Sequence, residues 1–203
     1  MARVDRKPRR RLDPDSRRAA ILDAAVEAFA ARPYAEVTIS SVAEAAEASK
    51  ALVYRYFENK EDLYAEVVRL AIAELLAEQA AVLEALPDGA PARDRIRAAA
   101  IVYLDHIAGH PDAWAMPMRR PGGEPPAAAE LRAQARSDYV ENLRSLLGSS
   151  AQTRREYALW GYFGFLEAAC LRWVETGCPA DDKRPLVDAV LGALEGALGD
   201  WAG

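Results

Sequence analysis

Thr38-Ile-Ser-Ser-Val-Ala-Glu-Ala-Ala-Glu-Ala-Ser-Lys-Ala-Leu-Val-Tyr-Arg-Tyr-Phe-Glu-Asn-Lys-Glu-Asp-Leu63 decides how this chain is read. Thr38 precedes Ile39, Val42, Ala43 and Ala46, whose three- and four-residue spacing is that of one helix face, and its hydroxyl suits an orphan amide of the first turn. Ser49 and Asn59 are caps of the same kind for the two helices that follow. The segment from Ser49 to Phe57 is roughly 13 Å long at about 1.5 Å per residue, too short to stand without neighbours. Upstream, Asp13 as cap, Pro14 at the first helical position and Asp15 in the first turn announce a helix ending near Arg32, before Pro33. Its Ile21, Leu22, Ala25, Val26 and Phe29 can pack against Ile39, Val42, Leu52, Val53, Phe57, Leu63 and Val67. The pattern predicts three helices and the start of a fourth, with basic and phenolic groups gathered on the third: a helix-turn-helix of the kind that reads DNA.

The run Ser49 to Phe57, followed by Lys60 and Leu63, resembles the DNA-binding signature of TetR-type transcriptional regulators, and the helix ahead of it is similar to their first helix. The likeness is specific over about the first quarter of the chain. It implies an all-α fold: an N-terminal three-helix DNA-binding domain, then a C-terminal helical domain for effector binding and dimerisation. It also implies phosphate contacts from Thr38, Tyr54, Tyr56 and Lys60, base-edge contacts from Lys50, Ala51, Leu52 and Arg55, and a place for Ser49 in the DNA-facing set. That sorting is chemically sensible, because hydroxyls and ammonium groups serve phosphates while Arg, Lys and small apolar groups read base edges in the major groove. The competing use of the three aromatics is as core; for Phe57 that reading is preferred, whereas Tyr54 and Tyr56 can bury a ring and present a hydroxyl. One departure stands out: Glu47 occupies the turn where the family usually has glycine, so either a left-handed residue is strained there or the turn takes another geometry.

Charge is unevenly placed. Through Lys60 there are 12 Lys or Arg against 9 Asp or Glu, while the remaining 14 basic and 22 acidic residues make the rest strongly negative and the whole chain −5. Residues 1–12, with Arg3, Arg6, Lys7, Arg9, Arg10 and Arg11, read as a disordered basic arm, which either adds phosphate or minor-groove contacts or simply solubilises. The acidic remainder should keep DNA at one end. Residues 13–63 are then the DNA-binding domain and 64–203 the effector-binding and dimerisation domain. No apolar stretch reaches membrane-spanning length and no apolar segment follows the arginine-rich start, so a cytoplasmic protein is expected. Cys170 and Cys178, if on one helix, lie roughly 12 Å apart along its axis and are expected as free thiols.

Beyond Leu63 the periodicity predicts helices over 61–86, 92–109, 127–147, 151–176 and 185–201, with a short helix and exposed loop around Trp114 to Pro126. Gly161, Gly164 and Ala168 fall at helical spacing, as do Ala189, Gly192, Gly196 and Gly199. A helical glycine costs about 1 kcal/mol relative to alanine, so such stripes suggest close packing, unless the composition is mere drift. Gly161, Gly164, Ala168, Gly192, Gly196 and Gly199 are therefore read as a homodimer interface in a four-helix bundle across a two-fold axis, the role the last two helices have in TetR-type proteins. Two copies would engage half-sites of a double-stranded operator roughly 34 to 36 Å, or a multiple, apart.

A regulator needs an input. Tyr103, His106, Ile107, Trp114, Met116, Met118, Tyr139, Leu143, Trp160, Phe163, Leu166 and Cys170 form an aromatic and sulfur-rich set with a few polar tips, suited to a small apolar or aromatic effector. Each singly is ordinary core; the set and the family's habit together point to a pocket. His106 and His110 sit four apart and could face a metal together with Asp105 or Asp112, but the helix is expected to end between them and no Cys or Glu cluster completes the set, so no metal or cofactor is expected. Neither a phosphate loop nor a nucleophile elbow nominates an enzyme. A protein-binding adaptor is the remaining alternative, told apart by salt, since duplex binding weakens steeply as salt is added. The reading is a dimeric regulator, a repressor released from a palindromic operator by its effector.

Overall fold

A computed structural model describes residues 13–120, 122–148 and 152–199, and all regular structure among them is helical. The basic arm, residues 1–12, and Trp201 lie outside the described residues. Helix α1 (Pro14–Ala31) is capped by Asp13, whose carboxylate accepts the Ser16 amide at 2.9 Å, and carries proline in its first turn. A 3-10 turn at Tyr34–Glu36 leads to α2 (Ile39–Ala45), where Thr38 and Ser41 exchange bonds reciprocally, each side chain accepting the other's amide. Helix α3 (Lys50–Tyr56) is capped by Ser49 and α4 (Lys60–Glu84) by Asn59. Each of these hydroxyls, amides and carboxylates satisfies an amide that the first helical turn leaves without an intrahelical partner.

The α2–α3 turn settles the question raised by Glu47. Glu47 has φ +47°, and the amide of Ala48 reaches back to the carbonyl of Ala43 at 2.8 Å while that of Glu47 donates to Glu44. These two bonds are those of a helix end closed by a left-handed residue, a position glycine prefers because a Cβ crowds the next carbonyl there. The first of the two alternatives holds.

The rest follows as α5 (Ala92–Gly109), α6 (Pro111–Arg119), α7 (Pro126–Leu146), α8 (Thr153–Glu175), a 3-10 turn at Ala180–Asp182, and α9 (Lys183–Leu198). Pro185 sits inside the first turn of α9, where its missing amide breaks no bond, so that helix starts two residues earlier than the proline suggests. Both 3-10 turns escape periodicity because three residues show none.

Two apolar cores result. One gathers Ile21, Ala25 and Phe29 of α1, Val42, Val53 and Phe57 around the turn, and Leu63, Tyr64 and Val68 of α4. It does not end at Leu63: Ala128 of α7 is fully buried in it, so the helix-turn-helix unit is seated on the following helices. The other holds Ile96, Leu104 and Ile107 of α5, Val140 and Leu143 of α7, Leu159, Tyr162, Leu166 and Cys170 of α8, and Val190, Leu191 and Leu194 of α9. Burying a Leu or Ile side chain contributes about 1.5 to 3 kcal/mol, so this second cluster fixes α8 against α9. Ion pairs Arg93–Glu195 at 2.5 Å, Arg97–Asp188 at 2.7 Å and Lys183–Asp105 clip α5 to α9 along its solvent edge. Being exposed they stabilise little and chiefly fix register. Cys170 is buried and Cys178 partly so, and both are free.

Candidate DNA-reading surface, subunit face and ligand core

Helix α3 turns Val53 inward, fully buried, and leaves Lys50, Ala51, Tyr54 and Arg55 exposed, with Leu52 and Tyr56 half-buried at the margins. Phe57 is core. Tyr54 is 54% exposed, a large aromatic surface left in water on a helix of two turns. Its inward side is fixed by α1 and α2, so the outward groups are held on a rigid support. Two cations depart from the reading made from sequence. Arg55 lies over the Tyr56 ring, 5.0 Å from its centroid, and donates to the Tyr56 hydroxyl at 2.9 Å, so it must leave that ring to meet a base edge. Lys60 turns inward: its ammonium donates to the carbonyls of Tyr34 (2.9 Å) and Val37 (3.1 Å) and sits 4.0 Å from the Tyr34 ring centroid. Two of its three donors thus hold the strand of chain entering α2, and one remains for a phosphate. Thr38 and Ser49 are exposed at helix starts, each already accepting one amide.

The glycine stripes face outward. Gly161, Gly164, Gly192 and Gly196 are exposed, and a Cβ added at any of them meets nothing within 4 Å in this chain. Ala168 and Ala189 are exposed beside them. Tyr157, Trp160 and Phe165 of the same helix α8 are exposed at 74%, 40% and 44%. Gly199 is different, because a reason for its glycine lies within the subunit. It closes α9 with φ +87°, and a Cβ there would come within 3.1 Å of the Arg154 guanidinium, which caps the helix by donating to the carbonyls of Gly196 and Ala197. Its glycine is explained inside the subunit.

The aromatic and sulfur set is largely brought together. Ile107, Leu143, Leu166 and Cys170 are buried in the second core, with Tyr103, Trp114, Tyr139 and Phe163 packed against it. The Trp114 indole donates to the Tyr103 hydroxyl at 3.0 Å, and Tyr139 and Tyr162 stack with hydroxyls 3.5 Å apart. Burial pushes the Tyr139 phenol up to about 12 and the Cys170 thiol up to about 12, the latter helped by nearby Glu167; Tyr103 and Tyr162 rise for the same reason. These groups are neutral donors and acceptors, not nucleophiles. Trp160 does not join them: it lies on the outer face of α8 and donates to Glu156 at 3.0 Å. Met118 is half-buried on α6.

Open space occurs at the seam between the two cores. A cavity of about 120 Å³ is bounded by Phe29 of α1, Tyr64, Val67 and Val68 of α4, His106 of α5, Trp114 of α6 and Arg132 of α7. A second, of about 90 Å³, is bounded by Phe29, Tyr34, Tyr64, Met116, Arg120 and Glu124. Phe29 and Tyr64 therefore wall both. Burial holds the His106 imidazole below its ordinary value, against the opposing pull of Glu78 and Glu74, and neighbouring His110 lowers it further. Among the described residues no group of three His, Cys, Asp or Glu is placed to hold a metal, and no helix is long and apolar enough to cross a membrane. Sequence reasoning missed Phe29, Tyr64, Glu124 and Arg132 as a cluster, since each reads as core or solvated face until α1, α4 and α7 meet.

A family model described as bacterial regulatory proteins, tetR family, matches residues 21–67, from α1 into α4. The transcriptional activator FasR of Mycolicibacterium smegmatis is 34% identical over 97 residues, 48% of this chain and 43% of that protein. The match thus spans less than half of that relative's length. A TetR-like transcriptional regulator from Rhodococcus sp. RHA1 superposes with a TM-score of 0.73 at 25% identity, covering 94% of this chain and all of that one. FadR of Bacillus subtilis, solved in complex with stearoyl-CoA, shares the fold with a TM-score of 0.66 at 20% identity, covering 89% of this chain and 97% of that one. With the motif matched across the helix-turn-helix, residues 21–67 carry the DNA-binding domain of the tetR family, and the chain shares the helical fold of a TetR-like transcriptional regulator along nearly its whole length.

Proposed function

We propose that two copies of this chain bind a palindromic operator, each laying α3 in a major groove, and that a ligand held in the helical C-terminal half alters their spacing. The observation that carries this reading is the outward face of α3, where Lys50, Tyr54 and Arg55 stand in water while Val53 anchors the same helix in core. Lys50, Ala51, Leu52 and Arg55 face base edges; Thr38, Ser49, Tyr54 and Tyr56 position the helix on phosphates, joined by the free donor of Lys60. The pairing surface is the outer face of α8 and α9, from Gly161, Gly164 and Ala168 to Gly192 and Gly196. Backbones approach closely at such small residues, and the exposed Tyr157, Trp160 and Phe165 supply the area that makes pairing stable.

Residues 13–63, which include the first turn of α4, act as the reading unit and residues 64–203 as the sensing and pairing unit, working in the cytoplasm. The ligand is small and apolar or aromatic, recognised by neutral phenols such as Tyr103, Tyr139 and Tyr162; that FadR of Bacillus subtilis, which shares the fold, was solved in complex with stearoyl-CoA supports this reading. Repression relieved by ligand is the mode proposed, although FasR is an activator. A ligand acts only by binding the two dimer states unequally. Fluorescence-anisotropy titration of a selected duplex over a salt series tests the reading. Binding whose logarithm falls linearly and steeply with the logarithm of salt supports it, and salt-insensitive or absent duplex binding overturns it.

A further inference from the structure

The turn between α6 and α7 sends Glu124 into the seam, leaving its side chain 11% exposed. The carboxylate accepts the Tyr64 hydroxyl at 3.3 Å and the Arg132 Nε–H at 3.2 Å. A carboxylate so far out of water requires partners of this kind. Tyr64 and Arg132 also wall the cavity of about 120 Å³, whose other surfaces include Phe29, Val67, Val68 and Trp114. A guanidinium, a neutral phenol and an apolar space thus open onto one another, and the carboxylate they hold is the chain's own.

We propose that this seam binds a monocarboxylate with an apolar body, whose acid group takes the place of the Glu124 carboxylate on Arg132 and Tyr64. Size follows from the cavity: an apolar hole of roughly 150 Å³ admits benzene, so this slightly smaller and partly open space takes about one ring or the inner six or so carbons of a chain. Charge selects the head group. A cation would meet Arg132, and the exposed Glu74 lies at the far end, ten residues or about 15 Å along α4 from Tyr64. Displacing Glu124 breaks the bond that ties α4 to the α6–α7 turn, and α4 begins immediately behind α3. Binding stands apart from the proposed DNA reading; only its transmission to α3 rests on it.

Calorimetric titration of the full chain with octanoate, phenylacetate, 1-octanol and octylamine tests the site. One or both acids should bind at least tenfold more tightly than the alcohol and the amine. Glu124→Gln removes the charged internal competitor and should tighten the acids about tenfold, as expected when a charge-assisted bond is freed. Arg132→Gln, its folding checked by thermal melting, should weaken them by a similar factor. Should that variant fail to fold, Glu124→Gln and the head-group series still decide. Equal or tighter binding of octylamine or 1-octanol, no heat from either acid at millimolar concentration, or unchanged acid affinity in Glu124→Gln overturns the proposal. Operator affinity is read separately: acid binding that leaves it unaltered keeps the site and removes its link to DNA.

Discussion

Helix α3 and the outer side of α8 and α9 are both faces the chain leaves in water, yet their chemistry points to opposite partners. On α3 the exposed groups are an ammonium, a guanidinium and phenol tips, in a stretch, residues 1–60, that the arginine-rich residues 1–12 make net positive. On α8 and α9 they are glycines, alanines and whole aromatic rings in the net negative part. A polyanion is drawn to the first and repelled from the second, whereas another copy gains by covering the second and nothing by covering the first. Exposure by itself names no partner. The chemistry of what is exposed does.

The largest effect expected is on the pairing face. Gly196→Leu adds a Cβ that meets nothing within 4 Å inside the subunit, so the subunit is expected to stay folded. In a two-fold pair it inserts two leucines into a close contact, at about 1 to 3 kcal/mol for each overpacked site. Sedimentation should shift from dimer to monomer while the melting temperature of the subunit holds; an unchanged mass removes the pairing role of the stripe. Next, Lys50→Ala combined with Tyr54→Ala should cost about 2 to 5 kcal/mol of operator affinity, with a smaller salt slope if a phosphate contact is lost. Circular dichroism should stay unchanged, since both side chains are exposed. Unaltered affinity in a folded dimer moves the reading surface elsewhere.

Smaller effects test the seam and the turn. The lowered His106 value means that the unfolded chain binds the proton first as pH falls. Stability contributed by neutral His106 is therefore complete above its unfolded value near 6.5 and is lost as pH falls from there through the folded value. Denaturant melts between pH 7.5 and 5 should show this decline, and His106→Gln should flatten it; an identical slope in both proteins removes burial of His106 as its cause. Smallest is Glu47→Gly, which relieves a Cβ at φ +47° and should raise stability by about 1 kcal/mol in a chemical melt. A loss of stability would mean that the Glu47 side chain contributes more than its backbone strain costs.

The N-terminal unit was readable because its signals are local. Asp13, Thr38, Ser49 and Asn59 each cap the helix they precede, and Ser41 at the third position of α2 adds a reciprocal bond not foreseen. The stop at Pro87 and the bounds of α5 were equally plain. What a local pattern cannot carry is where a long side chain goes. Lys60 bends back to Tyr34 and Val37, Arg55 folds onto Tyr56, and Arg154 reaches across to the end of α9. Gly199 and Trp160 were grouped by spacing and chemistry with residues whose surroundings differ, and the Tyr64–Glu124–Arg132 cluster joins α4 to the α6–α7 turn and α7, far along the chain. Packing, not periodicity, decides those.

Selection of bound duplexes from a random pool, using the purified full chain at moderate ionic strength, bears most directly on the paired α3 reading of DNA. An enriched inverted repeat, with half-site centres one helical turn or a multiple apart and two or an even number of chains per duplex, is the result expected. A pool that remains random, or a single unrepeated site bound by one chain, contradicts it.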